Sequence, residues 1–175
     1  LPCEEGSYSS TINLSSASEC TKTDPGYSAS TGSTEQTECS PGTVAPRAMM
    51  SACDKCEAGS FQDKEGEQTC KSCPISSWCA AGSSAPTACK AGKVGRSENL
   101  TSASDCEACP MGSWCSAGLA ILCGVNTFQP LINRTFAGAC QQCPRSADSG
   151  ENSTSIEDCK CQEEYYDTEP AAGNV

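Results

Sequence analysis

Apolar side chains in this chain stand singly, in register with cysteine, instead of running in stripes. Five residues after Cys3, Cys39, Cys56, Cys89 and Cys123 come Tyr8, Val44, Phe61, Val94 and Phe128. Such residues favour extended backbone, and each can lay one apolar side chain over its own crosslink. Three residues after the same cysteines come Gly6, Gly42, Gly59, Gly92 and Asn126. Glycine and asparagine tolerate positive φ, so the pattern predicts a tight turn and a short strand at each place. Each loop therefore reads as a small irregular β-hairpin. No amphipathic helix surrounds any Cys-x-x-Cys pair. The longest apolar stretch, residues 117–125, is broken by Gly and Cys and falls far short of the ~20 residues a membrane span needs.

The loops repeat as sequences, not only as patterns. Asn13-Leu-Ser-Ser-Ala-Ser-Glu-Cys20 is matched by Asn99-Leu-Thr-Ser-Ala-Ser-Asp-Cys106, and Cys123 to Cys140 has the same length as Cys3 to Cys20. Cys39 to Cys53 and Cys56 to Cys70 are shorter versions. Between loops, Cys70-Lys-Ser-Cys73-Pro-Ile-Ser-Ser-Trp78-Cys79 is echoed by Cys106-Glu-Ala-Cys109-Pro-Met-Gly-Ser-Trp114-Cys115. The stretch from Cys20 to Cys39 is as long as that from Cys70 to Cys89, yet carries Thr23 and Ala29 where Cys73 and Cys79 would fall. Two cysteines missing together are expected to be bonded partners. The repeats are residues 1–38, 56–88, 89–122 and 123–160, with a unit truncated to its hairpin at 39–55 and the start of a further repeat at 161–175. The expected fold is small and disulfide-rich, an elongated tandem array of short irregular β-hairpin modules with little regular secondary structure.

The alignment of the repeats suggests nearest-neighbour crosslinks: Cys3–Cys20, Cys39–Cys53, Cys56–Cys70, Cys73–Cys79, Cys89–Cys106, Cys109–Cys115, Cys123–Cys140 and Cys143–Cys159. The rival is an interleaved scheme in which the second Cys of a Cys-x-x-Cys reaches past a neighbour, for instance Cys73 to Cys89. Cys161 is left over, and is expected to open a hairpin whose closing Cys lies beyond this segment, or else to crosslink two chains.

Composition narrows the class. The 175 residues include 17 Cys, no His and nine aromatics (three Phe, two Trp, four Tyr), with a net charge of -11. So few bulky side chains cannot build one contiguous core of this length, and crosslinks must do most of the stabilising. Disulfides persist in oxidising compartments, which points to an extracellular or cell-surface location. No leader peptide is visible at Leu1-Pro2-Cys3. An acidic chain without a Lys/Arg cluster argues against nucleic acid and anionic lipid as partners.

Several chemistries can be weighed residue by residue. The run Cys53-x2-Cys56-x13-Cys70-x2-Cys73 has zinc-ribbon spacing, but Cys79 and Cys115 have no place in such a scheme and no His is available. Redox use of a Cys-x-x-Cys needs an activated thiol at a helix start, which nothing here predicts. Without His, a Ser-His-Asp or Cys-His site is impossible, and Glu4-Glu5 or Glu163-Glu164 are neighbours on a solvated turn. Asp148, Glu151, Glu157 and Asp158 could gather calcium, but no Asp-x-Asp-x-Asp-Gly spacing occurs and a solvated acidic surface is the default. The expectation is no enzyme, no metal and no cofactor. N-glycosylation is better supported: Asn13-Leu-Ser, Asn99-Leu-Thr, Asn133-Arg-Thr and Asn152-Ser-Thr fit the acceptor pattern, and the first three lie ten residues after their opening Cys. The Ser/Thr-rich residues 28–37 could carry O-linked sugar or form a flexible loop.

Loops of the form Cys-x-x-Gly-x-aromatic, closed by Cys-x-x-Cys-Pro-x-Gly-x-aromatic-Cys, resemble the ephrin-receptor-like cysteine-rich repeats of extracellular proteins and, more distantly, tumour-necrosis-factor-receptor modules. Residues 106–115 fit the signature, while Ser76 and Glu164 stand where it has Gly. The likeness covers nearly the whole chain and implies an elongated extracellular rod of small modules, without implying a ligand. Two functions follow as expectations. One is a structural or adhesive glycoprotein segment, a rod within a filament, coat or matrix, whose partners are N-linked glycans and other protein chains. The other is a ligand-binding receptor ectodomain, for which Trp78 and Trp114 are the candidate hot spots, although their shared repeat position suits module packing. Leu119, Ile121 and Leu122, with Leu131 and Ile132, form a short apolar patch open to either contact or packing.

Overall fold

The computed structural model describes residues 1–161. Within them lie nine two-stranded antiparallel hairpins and four single 3-10 turns. In chain order, β1 (Ser7–Tyr8) pairs with β2 (Thr21–Lys22), β3 (Tyr27–Ser28) with β4 (Thr37–Glu38), and β5 (Thr43–Val44) with β6 (Asp54–Lys55). Then β7 (Ser60–Phe61) pairs with β8 (Lys71–Ser72), β9 (Ser77–Trp78) with β10 (Thr87–Ala88), and β11 (Lys93–Val94) with β12 (Glu107–Ala108). The last are β13 (Ser113–Ser116) with β14 (Leu119–Leu122), β15 (Thr127–Phe128) with β16 (Gln141–Gln142), and β17 (Ala147–Asp148) with β18 (Lys160–Cys161). The fold is disulfide-rich and built of tandem hairpins.

The expected turns are present: Gly6, Gly42, Gly59, Gly92 and Asn126 all have positive φ. The hairpins nonetheless differ from the sequence reading in two ways. Each closing strand lies just outside its disulfide loop, so that the two middle residues of Cys-x-x-Cys, such as Lys71-Ser72 or Glu107-Ala108, form it. In addition, the segments between loops are themselves hairpins. Thr23, Cys73, Cys109 and Cys143 open them, with Gly26, Ser76, Gly112 and Ser146 at positive φ three residues on. A unit of 33–36 residues is therefore two equivalent hairpins, and the truncated unit at 39–55 is a single one.

The described chain divides into two compact units, Leu1–Cys89 with Gly95–Cys106, and Lys90–Val94 with the chain from Glu107 onward. In the first, each hairpin is tied to the next through backbone. The N–H of Gly6 donates to Ala29 (2.8 Å), Gly26 to Ala45 (2.8 Å), Gly42 to Gln62 (2.7 Å), Gly59 to Cys79 (2.8 Å) and Ser76 to Gly95 (2.9 Å). A reverse bond accompanies each one, as from Thr23 N–H to the Gly6 carbonyl (3.0 Å) and from Cys39 to Gly26 (2.9 Å). The second unit repeats the pattern, with Gly92 donating to Cys115 (3.0 Å), Gly112 to Gln129 (2.8 Å) and Asn126 to Ser149 (2.9 Å). Groups that two-residue strands leave unpaired thus find partners on the neighbouring hairpin.

In each unit the interior is filled mainly from two places in each hairpin. The residue that opens each hairpin is buried in most cases, as is the residue six further on: Ala29, Ala45, Gln62, Cys79, Cys115, Gln129 and Ser149. There is no room for more, because hairpins two steps apart meet. A Cβ on Gly26, where φ is +89°, would stand 2.0 Å from the carbonyl oxygen of Gly66. No helix among the described residues is long and apolar enough to cross a membrane.

Candidate functional site

The cysteines are placed first, since they define the frame. The structure bonds Cys3 to Cys20, Cys39 to Cys53, Cys56 to Cys70, Cys73 to Cys79, Cys89 to Cys106, Cys109 to Cys115, Cys123 to Cys140 and Cys143 to Cys159. Cys53, Cys56, Cys70 and Cys73, which have zinc-ribbon spacing in sequence, are therefore shared among three disulfides. Disulfides of this density mark an oxidising compartment. Cys161, in β18, is an exposed free thiol. The partner expected for it, Tyr165, Tyr166 and the Glu163-Glu164 pair lie outside the described residues.

The two-cysteine bridge and its absence occupy the same place in the fold. Cys73–Cys79 and Cys109–Cys115 join the opening residue of a hairpin to the residue six further on, with Cα atoms 5.9 and 5.7 Å apart. In the second hairpin these places hold Thr23 and Ala29, both buried, and the Thr23 hydroxyl has no hydrogen-bond partner. Elsewhere the inner position holds glutamine. Gln62 Nε2 donates to the Thr69 carbonyl (2.7 Å), while its Oε1 accepts from the Lys64 N–H (3.1 Å). Gln129 repeats this with the Ala139 carbonyl and the Leu131 N–H. A buried amide with donor and acceptor both satisfied pins the loop across its width, a role that cysteine spacing does not reveal. The signal that could have found it is the shared offset of six from Cys56 and Cys123.

The four candidate glycan acceptors fall at one corner of the hairpin. Asn13, Asn99, Asn133 and Asn152 are exposed, with φ between 60° and 61°. Met49 and Gly66 occupy the same corner in other hairpins, also at positive φ. Backbone fixes the corner: the N–H of Asn99 donates to the Cys73 carbonyl (2.8 Å), and those of Asn133 and Asn152 donate to Cys109 and Cys123 (2.9 Å each). Asparagine is thus favoured here on conformational grounds alone.

The hydroxyl residue of three acceptor patterns also has a task inside the fold. Ser15 Oγ donates to Glu19 Oε1 (2.6 Å), Thr101 Oγ1 to Asp105 Oδ2 (2.8 Å) and Thr154 Oγ1 to Asp158 Oδ2 (3.4 Å). The same oxygens accept the N–H of Ser16 (2.9 Å), Ser102 (3.0 Å) and Ser155 (3.0 Å), capping the 3-10 turns Ala17–Glu19, Ala103–Asp105 and Ile156–Asp158. The Ser15 hydroxyl bond is the main cause holding the Glu19 carboxyl below its usual range. The Thr101 and Thr154 N–H bonds do the same for Asp105 and Asp158. At Asn133-Arg-Thr135 the equivalent acidic place is Ala139, and the 3-10 turn Ala137–Ala139 follows Phe136 without a side-chain cap.

The remaining candidates are scattered. Glu4 and Glu5 border a cleft of about 140 Å³ with Ser7, Lys22 and Met49, below the several hundred cubic ångströms of a small-molecule site. Asp148, Glu151, Glu157 and Asp158 are all exposed, and the Asp158 carboxylate accepts the cap N–H bonds of Thr154 and Ser155. Trp78 and Trp114 are half-buried in equivalent strands, facing Thr87 and Ile121 across their hairpins. Leu119, Ile121 and Leu122 form most of β14 and are exposed, as are Leu131 and Ile132 of the next hairpin. Compared with known proteins, the chain matches no family model and no curated protein.

Proposed function

We propose that this chain is a structural or adhesive segment of an extracellular glycoprotein, a disulfide-stapled spacer in a filament, coat or matrix. The observation that carries the reading is the backbone ladder. Every hairpin is bonded to the next in the same way, and the repeat uses its own side chains for packing, capping and crosslinking. The buried polar side chains Gln62 and Gln129 serve loop closure. The resemblance to ephrin-receptor-like extracellular repeats agrees with this assignment. Such an array has no catalytic role and needs no cofactor.

The exposed corner asparagines support a sugar coat on the same segment, at Asn13, Asn99, Asn133 and Asn152. Asn133 is the most informative of the four, because the fold has no capping use for Thr135. The test is localisation in native material, with glycopeptide mapping alongside. The chain should fractionate with an insoluble extracellular assembly in amounts comparable to the other structural proteins there, with sugar on Asn133. Recovery as a scarce membrane-associated protein that captures a soluble ligand would overturn the structural reading in favour of a receptor.

A further inference from the structure

We infer that the β13–β14 hairpin is a self-association surface, and that its occupant is the same hairpin of a second copy of this chain. The inference deepens the structural reading by naming a partner and a contact, and rests on it only in taking the chain as one meant to assemble.

Three observations carry it. First, β14 is unlike every other closing strand. The others read Thr-Lys, Thr-Glu, Asp-Lys, Lys-Ser, Thr-Ala, Glu-Ala, Gln-Gln and Lys-Cys, each with a polar side chain facing water. β14 reads Leu-Ala-Ile-Leu over four residues instead of two, and all four are exposed. Second, the hairpin has a distinct outer face. Trp114 stands opposite Ile121 and Ser116 opposite Leu119, while Cys115 and Ser113, on the other face, are fully buried. Side chains alternate along a strand, so Trp114, Leu119 and Ile121 lie together on the outside. Third, residues 108–133 contain no charged side chain, although the chain has 11 basic and 22 acidic residues elsewhere.

The charge distribution selects the occupant. Two copies carrying a net -11 each repel wherever acidic surface meets acidic surface. This neutral stretch is where like chains can approach without that penalty, and it offers nothing to a basic partner. The sheet ends at β14: β11 lies beside this hairpin and Val94 bridges Gly118 just before β14, but among the described residues no strand other than β13 pairs with β14 itself. A second β14 running antiparallel across a two-fold axis satisfies both edges at once. With the axis through Ala120 or Ile121, both apolar faces fall on the same side of a four-stranded sheet. Exposed apolar edges on secreted proteins are otherwise blunted by charge, and this one is not.

The test is sedimentation velocity on the whole secreted protein over a concentration series. Every sample carries Cys161→Ser, so that no intermolecular disulfide is counted. The expected result is a monomer–dimer equilibrium that added salt leaves unchanged or strengthens. Ile121→Glu and Leu119→Glu should each weaken dimerisation about a hundredfold or more, because two like charges are brought together in a desolvated contact. Thr87→Glu, at the place matching Ile121 in the Trp78 hairpin, should leave it intact. Disulfide mapping verifies the fold of each variant, and Leu119→Glu carries the test if Ile121→Glu misfolds. A wild-type monomer at every concentration, or a dimer that survives both substitutions, overturns the inference. Such a monomer with its disulfides in place leaves the structural reading standing, since that reading is decided by localisation.

Discussion

Thr23→Cys combined with Ala29→Cys should add a ninth disulfide to the second hairpin without moving its backbone. The Thr23 N–H donates to Gly6 at 3.0 Å, as those of Cys73 and Cys109 donate to Gly59 and Gly92 at 2.9 Å each. The Ala29 N–H donates to Met50 at 3.1 Å, where Cys79 and Cys115 donate to Leu100 and Arg134 at 2.9 and 2.8 Å. Gly26 supplies the same positive-φ turn as Gly112. Closing a loop this short removes about 2.3 kcal/mol of denatured-state entropy. Replacing the buried, unpartnered Thr23 hydroxyl contributes about 1 kcal/mol more. At about 2–4 °C per kcal/mol for a chain of this size, Tm should rise by roughly 7–13 °C. Nonreducing peptide mass spectrometry detects the bond as the loss of two hydrogens, and calorimetry measures the gain. The equivalence of the two hairpin types is refuted if the new thiols remain alkylatable, or if the bond forms and Tm falls.

Other perturbations probe different parts of the frame. Gln62→Leu keeps the volume but leaves the Thr69 carbonyl and Lys64 N–H without their partner, and should cost about 1–3 kcal/mol in thermal unfolding, against no effect if the amide is incidental. Gly26→Ala should cost more than the ~1–2 kcal/mol of a left-handed alanine, since its Cβ meets the Gly66 carbonyl, and a Tm equal to wild type would count against that close approach. The caps at Glu19, Asp105 and Asp158 have carboxyls held below their ordinary range, so their contribution is complete above the unfolded carboxylate range near pH ~4 and is lost as pH falls through the lower folded values. The amide signals of Ser16, Ser102 and Ser155 should follow that titration by NMR, and Asp105→Asn should abolish it for Ser102 alone.

Cysteine spacing makes much of this fold legible, because a disulfide loop and its Gly turn are both written in residues with few other uses. The offset from Cys3 to Gly6 and Tyr8 marks a hairpin, and the paired absence at Thr23 and Ala29 identifies a bridge. What escapes is the second family of hairpins. Two of their four turns are closed by Ser76 and Ser146, which lack the glycine signature, and apart from β14 their closing strands are short pairs such as Thr87-Ala88 with no apolar alternation. Backbone bonds to a neighbouring hairpin hold them, and backbone carries no residue label. The acceptor asparagines illustrate the opposite difficulty. Their regular offset from cysteine is visible at once, but one signal is open to two causes, a left-handed corner and the proposed glycan acceptor.

The single hairpin at 39–55 has a bearing on how such chains change over generations. Because it is flanked by paired hairpins and still makes the same bonds on both sides, hairpins can be gained or lost one at a time, in steps of about 17 residues, without breaking register. Duplication need not respect the longer period that the cysteines suggest. Neighbouring genes of this kind should differ by odd as well as even numbers of hairpins, a hairpin like this one bringing its own internal crosslink, as Cys39–Cys53 does here.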